Sequence, residues 1–247
     1  MRGILVPDWP APPGVRAAVT TRDMDGHSRA PYGRMNLGAR CGDDADAVAA
    51  NRAALADALR LPSTPIWLQQ VHGSVVVDAD AARGPDEPVA DAAVSRGAAV
   101  LAVLTADCLP VLFASDDARA IGVAHAGWRG LAAGVLEATL DALRIEPARV
   151  IAWIGPAIGA ASYEVGEEVR AAFVETDAGA TRAFAATRRG HWRCDLAALA
   201  RRRLAAAGVA RVSGGGFDTF NDARFHSYRR ESRTGRFATL VWREPPP

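Results

Sequence analysis

The stretch Leu101–Gly130, LAVLTADCLPVLFASDDARAIGVAHAGWRG, decides how this chain is read. Two apolar runs, Ala99–Thr105 and Ala120–Ala124, are short and rich in Val, Leu, Ile and Ala. Neither has room for a ten-residue helix, so both predict buried strands. Each stops in polar chemistry. The first runs into Thr105, Asp107 and Cys108, the second into His125, Gly127, Trp128 and Arg129. Polar side chains at the ends of buried strands are costly unless they are paired. A ligand or metal ion held in common is the expected partner.

Working outward, Ile66–Val71 (IWLQQV) predicts a third strand that ends in His72–Gly73. His72, Cys108 and His125 are therefore candidate metal ligands. Two imidazoles and a thiolate suit zinc, with a fourth position left for water or substrate. The same set suits copper. No compact C-x-x-C or H-E-x-x-H pattern accompanies them. A plainer reading stands beside this one, with Cys108 a small buried hydrophobe and both histidines satisfied core residues.

With 247 residues, 49% of them hydrophobic, the chain can bury an ample core as one large domain or two small ones. Its net charge of +1 gives no bulk attraction for nucleic acid or anionic lipid. Every basic residue is Arg and alanine is abundant, which reads as genomic composition, so Arg clusters carry less weight here. Three cysteines without a C-x-x-C argue for a reducing compartment. The expectation is a cytoplasmic protein with neither signal peptide nor membrane span.

In chain order, residues 1–14 read as irregular and Arg16–Thr21 as a first strand. Asp23–Asp43 is turn-rich, a long loop of the kind that often carries function. Asn36 in it is a candidate substrate contact or an ordinary turn residue. Asp43 or Asp44 caps a helix over Ala45–Leu59, whose stripe of Val48, Arg52, Leu55 and Leu59 turns an arginine inward. That arginine needs an anion or an acceptor, unless its stem merely snorkels past the core. Val75–Ala79 and Asp91–Ser95 read as short strands, and Gly84–Pro88 as a turn. An apolar stripe from Leu131 to Leu143 predicts one helix over about Trp128–Arg144. Its amino end lies just after His125, where free N–H groups would favour an anion, and Arg129 would add charge. Val150–Ile154 predicts a strand. Glu167–Glu175 and Asp195–Ala207 predict helices, the latter ended by Gly208. Ser227–Arg236 predicts a basic hairpin before a last strand, Phe237–Trp242, and the EPPP tail is expected to lack order. One mixed α/β domain, residues 1–247, fits this order.

Several segments then match a known pattern: NLG (36–38), GDD (42–44), NR (51–52), QVHG (70–73), TADCLPVLF (105–113), AHAGWRG (124–130), WIGPAIG (153–159), YEVGEEV (163–169) and SYRRESRTGR (227–236). Together they resemble the bacterial multicopper polyphenol oxidase, laccase-type family, whose members have been reinterpreted as purine nucleoside phosphorylases with adenosine deaminase activity. The resemblance implies a four-layer α/β/β/α fold, with two mixed sheets packed together and helices outside. It implies zinc on His72, Cys108 and His125, with copper as the alternative, and a catalytic role for Cys108. It also implies a pocket-lining role for Arg52. The implied partners are purine nucleosides (adenosine, inosine, methylthioadenosine) and phosphate, in a monomer or small homo-oligomer. Two departures stand out: Asp218 where a Cys is usual, and His226 where an aromatic is usual. The second places an extra polar group near the expected pocket.

Zinc with three protein ligands would activate water for attack on adenine C6. Asp107 is the candidate proton shuttle, or a turn residue, or the carboxylate that orients a ligand histidine. Arg52, Arg229 and the helix start at Trp128 are candidates for holding phosphate. A copper polyphenol oxidase is disfavoured, because five histidines without an H-x-H pair cannot build a multicopper cluster. A metal-free hydrolase using Cys108 with His72 or His125 remains an alternative, and so does a non-enzymatic binding role.

Overall fold

Residues 2–81 and 86–244 are described by a computed structural model. Along the chain come β1 (Ile4–Leu5), β2 (Val15–Thr20), α1 (Ala45–Leu59), β3 (Val76–Asp78), β4 (Ala92–Ser95), β5 (Leu101–Thr105), β6 (Leu109–Ser115) and β7 (Ile121–Ala126). Then follow α2 (Trp128–Ala132), α3 (Val135–Leu143), β8 (Val150–Ile154), β9 (Glu164–Gly166), α4 (Glu167–Val174), β10 (Phe184–Arg188), β11 (His191–Cys194), α5 (Leu196–Ala206), β12 (Arg211–Gly214) and β13 (Phe237–Arg243). The expected turn at Gly84–Pro88 and the EPPP tail lie partly outside the described residues.

A four-stranded antiparallel sheet runs β1-β2-β13-β5. A six-stranded mixed sheet runs β12-β8-β6-β7-β4-β3. Strand alternation puts one face of each against the other. Val103 of β5 and Val241 of β13 meet Leu112 of β6 and Val123 of β7 in one buried cluster. The intervening residues face outward. Ala102 and Leu240 pack under Leu55 of α1, while Val111, Phe113 and Ala124 pack under Leu136, Leu140 and Leu204 of the helices on the far side. The layers are therefore helix, sheet, sheet, helices, the mixed α/β architecture expected. A three-stranded antiparallel sheet, β10-β11-β9, was not expected.

Helix α1 begins where Asp44 accepts from the Ala47 N–H at 2.9 Å, an N-cap worth about 1 kcal/mol. The expected helix over 128–144 is two helices. Gly134, at φ +91°, breaks it, although the apolar stripe continues and Leu131, Val135, Leu136, Leu140 and Leu143 are all buried. Ile66–Val71 is not a strand. Its main chain makes isolated bridges, Ile66 to Leu101 of β5 and Gln69 to Val89 in the loop before β4. It still covers an edge: the Gln70 amide exchanges two hydrogen bonds of 2.8 Å with the Leu104 main chain, as a strand would. Residues 227–236 contain no strand. Arg230 anchors them by donating to the carbonyls of Thr219, Phe220 and Phe225. Central strand β6 went unread because it carries Pro110, which cannot donate to a ladder. No helix among the described residues is long and apolar enough to cross a membrane.

Replacing Gly134 by Ala forces a side chain into left-handed backbone where no neighbouring atom crowds it (the nearest is 3.7 Å away). The expected cost is about 1–2 kcal/mol, read from urea unfolding. A more stable variant would show that one continuous helix fits after all.

Candidate functional site

Strand register assembles the site. β4 runs antiparallel to β7 with Ala92 opposite Ala124, so Asp91 arrives beside His125, whose N–H donates to the Asp91 carbonyl at 2.7 Å. The Asp91 carboxylate is fully buried. One oxygen faces His125 Nδ1 at 2.8 Å and accepts from the His72 N–H at 2.9 Å. The other accepts from the N–H groups of Gly73 (2.7 Å) and Val71 (3.2 Å). Three successive main-chain N–H groups thus form a concave nest around one carboxylate. The nest holds His72 at φ +63°, an uncommon backbone for a non-glycine residue. Burial pushes the Asp91 carboxyl up, but the bonds from His125, Gly73 and Val71 outweigh it and hold it below the usual range.

Cys108 comes from the link between β5 and β6, which lie in different sheets. Asp107 makes that crossing at φ +89°. Its side chain ties the link down, accepting from Thr219 Oγ1 at 2.6 Å and from the Arg229 N–H at 2.7 Å. Cys108 Sγ lies 3.7 Å from His72 Nε2. The His72 and His125 rings meet edge to face with centroids 4.8 Å apart. One ligand atom from each of His72, Cys108 and His125 falls within 4.8 Å of the others. Gly127 makes the approach feasible, since a Cβ there would sit 2.9 Å from His72 Cδ2 and 3.0 Å from Cys108 Sγ.

Burial pushes the Cys108 thiol up, but the charge of His125 and the bonds to both histidines bring it down to about 6. Burial pushes His125 down, and the Cys108 thiolate and Asp91 outweigh it to bring it up to about 9. The pair thus favours a thiolate beside a charged His125, and a metal bound there would displace the His125 proton.

This cluster opens into a cavity of about 490 Å³, within the size range of small-molecule sites, roughly 300–1,000 Å³. Of the residues expected from the sequence, Arg52, Asp107, Arg129 and Arg229 line it with the three donors. Asn36 does not. Its buried amide is engaged by Gly38, Cys41, Asp43 and the Arg236 N–H. Arg52 finds the acceptors its stripe position demanded: its Nε donates to the Leu37 carbonyl at 3.0 Å and Nη1 to Glu87 at 2.7 Å. The helix start at Trp128 belongs to a five-residue helix, too short to supply the expected anion site. His226 is not a pocket residue. It is fully buried with Nδ1 on Thr234, and burial together with Arg22, Arg236 and Arg230 pushes it down to about 3. Asp218 anchors two loops, accepting from the Gly159 N–H, Ser162 Oγ and Asn221 Nδ2.

Thr105, named from the sequence as a polar strand end, also lines the cavity. Sequence reasoning passed over Asp91, Glu87, Tyr163, Tyr228 and Arg236 as site residues. Of these only Asp91 carried a signal, an acidic residue directly before the apolar strand AAVS.

A histidine–cysteine–histidine donor set opening into a cavity on a two-sheet α/β sandwich defines a class of protein. Residues 16–244 match the family described as multi-copper polyphenol oxidoreductase laccase, and the chain belongs to it. It is 55% identical over 250 residues to a purine nucleoside phosphorylase of Xylella fastidiosa strain Temecula1, covering 97% of this chain and 96% of that one. It is 53% identical over 245 residues to a purine nucleoside phosphorylase of Pseudomonas aeruginosa, covering 98% and 99%. A crystal structure of a Neisseria meningitidis protein matches with a TM-score of 0.94 at 43% identity, covering 98% and 100%.

Asp91→Asn keeps the shape of the carboxylate but sets an amide against the nest. We expect about 1–3 kcal/mol of lost stability in urea unfolding and about 10–100-fold weaker affinity for an added divalent metal; wild-type values for both would remove Asp91 from the site's foundation. A second expectation concerns Asp218. Burial pushes its carboxyl up, but the bonds from Ser162, Gly159 and Asn221 outweigh it and hold it low. The stability it contributes is therefore present above the unfolded value of about 3.9 and lost as pH falls through the lower folded value. Asp218→Asn should lower the Tm at pH 7 and converge on wild type in strong acid.

Proposed function

We propose that the chain is a purine nucleoside phosphorylase acting on adenosine, inosine and methylthioadenosine, with hydrolytic deamination of adenosine at the same site. The observation that carries this reading is the convergence of His72, Cys108 and His125 on one nucleoside-sized cavity, in a chain whose near-full-length relatives are named purine nucleoside phosphorylase. In phosphorolysis a phosphate oxygen bonds to ribose C1′ as the C1′–N9 bond breaks. The electron pair passes to the purine, which takes up a proton. In deamination, water adds at C6 and ammonia leaves.

The donor types suit zinc: His72, Cys108 and His125, with ligand atoms within 4.8 Å of one another, are the residues that would hold it. Copper would accept the same donors. A cation held there supplies Lewis acidity to the cavity. The chain's own residues do the rest. Asp91 commits His125 Nδ1 and leaves Nε2 for the cluster. Trp128, Tyr163 and Tyr228 line the cavity with aromatic rings, each with a guanidinium over it. Asp107, both oxygens engaged, positions the Cys108 turn and the start of the Arg229 segment.

A second reading rests on the 3.7 Å contact itself: Cys108 as a metal-free nucleophile with His72 as base. A multicopper oxidase is not supported, because among the described residues there is a single group of three such ligands.

Inosine with phosphate should yield hypoxanthine and ribose 1-phosphate, resolved by chromatography. His72→Ala and Cys108→Ala should reduce this to background with unchanged circular dichroism; wild-type rates in both would overturn the site. Protein purified without added metal should carry about one zinc, lost in Cys108→Ala. A metal-free, active, iodoacetamide-sensitive protein would favour the second reading.

A further inference from the structure

The cavity is rich in arginine, and its arginines are of two kinds. Arg40 and Arg52 both pair with Glu87, whose carboxylate neutralises part of their charge. Arg129, Arg229 and Arg236 have no carboxylate partner among the described residues. Each is seated on an aromatic face, as Arg52 is on Trp67 at 4.3 Å, but without the carboxylate that Arg52 also has. Arg129 Cζ lies 4.3 Å from the Trp128 ring, Arg229 Cζ 5.3 Å from Tyr163, and Arg236 Cζ 6.0 Å from Tyr228. All six of these residues line the cavity. An aromatic seat fixes the plane of a guanidinium without cancelling its charge. What protein hydrogen bonds these guanidiniums make go to neutral carbonyls, that of Glu164 for Arg229 and those of Thr234 and Gly235 for Arg236. The Asp107 carboxylate also lines the cavity, but its oxygens face Thr219 and the Arg229 N–H.

Two other lining residues carry a vacancy of the opposite kind: Arg52 Nη2 and the hydroxyl of Thr105 are buried without a hydrogen-bond partner among the described residues. Neither is a place for a second full charge, because Glu87 already sits on Arg52. Each suits a neutral polar atom, and a buried polar atom left unpaired costs about 1–3 kcal/mol.

Resting on the phosphorylase reading, we propose that charge divides the cavity. Arg129, Arg229 and Arg236 form the subsite for the phosphate co-substrate. Arg52 Nη2 and Thr105 Oγ1 receive hydroxyl or ring-nitrogen atoms of the uncharged purine nucleoside. Guanidinium binds phosphate bidentately, so each of the three seated arginines offers the anion a charged pair of donors.

The test is two-substrate kinetics with inosine and inorganic phosphate, joined to calorimetry with inorganic phosphate alone. Arg229→Gln and Arg236→Gln should each raise the phosphate KM about tenfold or more, as loss of a charged hydrogen bond does, with the inosine KM within about twofold. Thr105→Val should do the reverse. In calorimetry, phosphate binding should be lost in the Arg129→Gln, Arg229→Gln, Arg236→Gln triple variant, whose circular dichroism should match wild type. An unchanged phosphate KM in both single arginine variants overturns the subsite and leaves the phosphorylase reading intact. A phosphate KM that rises in Arg52→Gln instead also overturns it. Phosphate binding that depends on the three arginines, in a chain that never turns over inosine, supports the subsite while the phosphorylase reading fails.

Discussion

One buried carboxylate holds the site together. Asp91 accepts from three consecutive main-chain N–H groups and from a histidine ring. A fully buried charge is tolerable only when its acceptor capacity is filled. Here the filling is shared between the His72 turn and the His125 strand. Any movement of either would strand a carboxylate oxygen in the interior, so the two imidazoles are locked to each other through it. A ligand histidine commonly relies on a carboxylate behind it; in this chain the same carboxylate also shapes the backbone of a second ligand.

The third donor reaches the cluster by another route. β5 belongs to one sheet and β6 to the next, and Ala106–Cys108 spans the gap. A crossing that short demands an unusual backbone, and Asp107 supplies it at φ +89°. Its carboxylate is engaged by Thr219 and Arg229, both from the C-terminal third. His72 and Asp107 are thus two residues in left-handed backbone, each held there by a buried acid. Strain of this kind persists only where the surroundings over-determine it. The two turns carrying it are the two that bring His72 and Cys108 within 3.7 Å.

Much of this was legible in the sequence. The apolar runs at 99–105, 120–124 and 150–154 were short and unbroken, as buried strands are, and the polar ends of the first two named Cys108 and His125; His72 was named at the end of 66–71, a segment that borders the sheets without being a strand. Helix α1 was readable to its cap because Asp44 and the apolar stripe agreed. What escaped depended on partners distant in sequence. Asp91 looks like any acid before a strand until register sets it against His125. Glu87 reveals itself only when Arg52 turns inward. Strand β6 was masked by Pro110, and the helix break at Gly134 by a stripe that stays in phase across it. Residues 227–236 look like a hairpin because Gly and Arg punctuate them, whereas side-chain bonds from Arg230 shape them, and these have no local signature.

A chain with arginine as its sole basic residue poses a particular problem, since abundance makes each cluster look accidental. Partner chemistry separates the roles. Arg149 faces Asp116 and Asp117 on the surface, where ion pairs contribute little. Arg230 donates to three main-chain carbonyls and serves as a brace. Arg129, Arg229 and Arg236 rest on aromatic rings lining one cavity and pair with no acid among the described residues. Unpaired charge beside low-dielectric walls is the arrangement that attracts an anion. The three donors reach that cavity on different supports: His125 stands on β7, while His72 and Cys108 stand on turns pinned by Asp91 and Asp107. Buried acids thus hold the donor cluster at fixed distances, while the arginines beside it keep their charge.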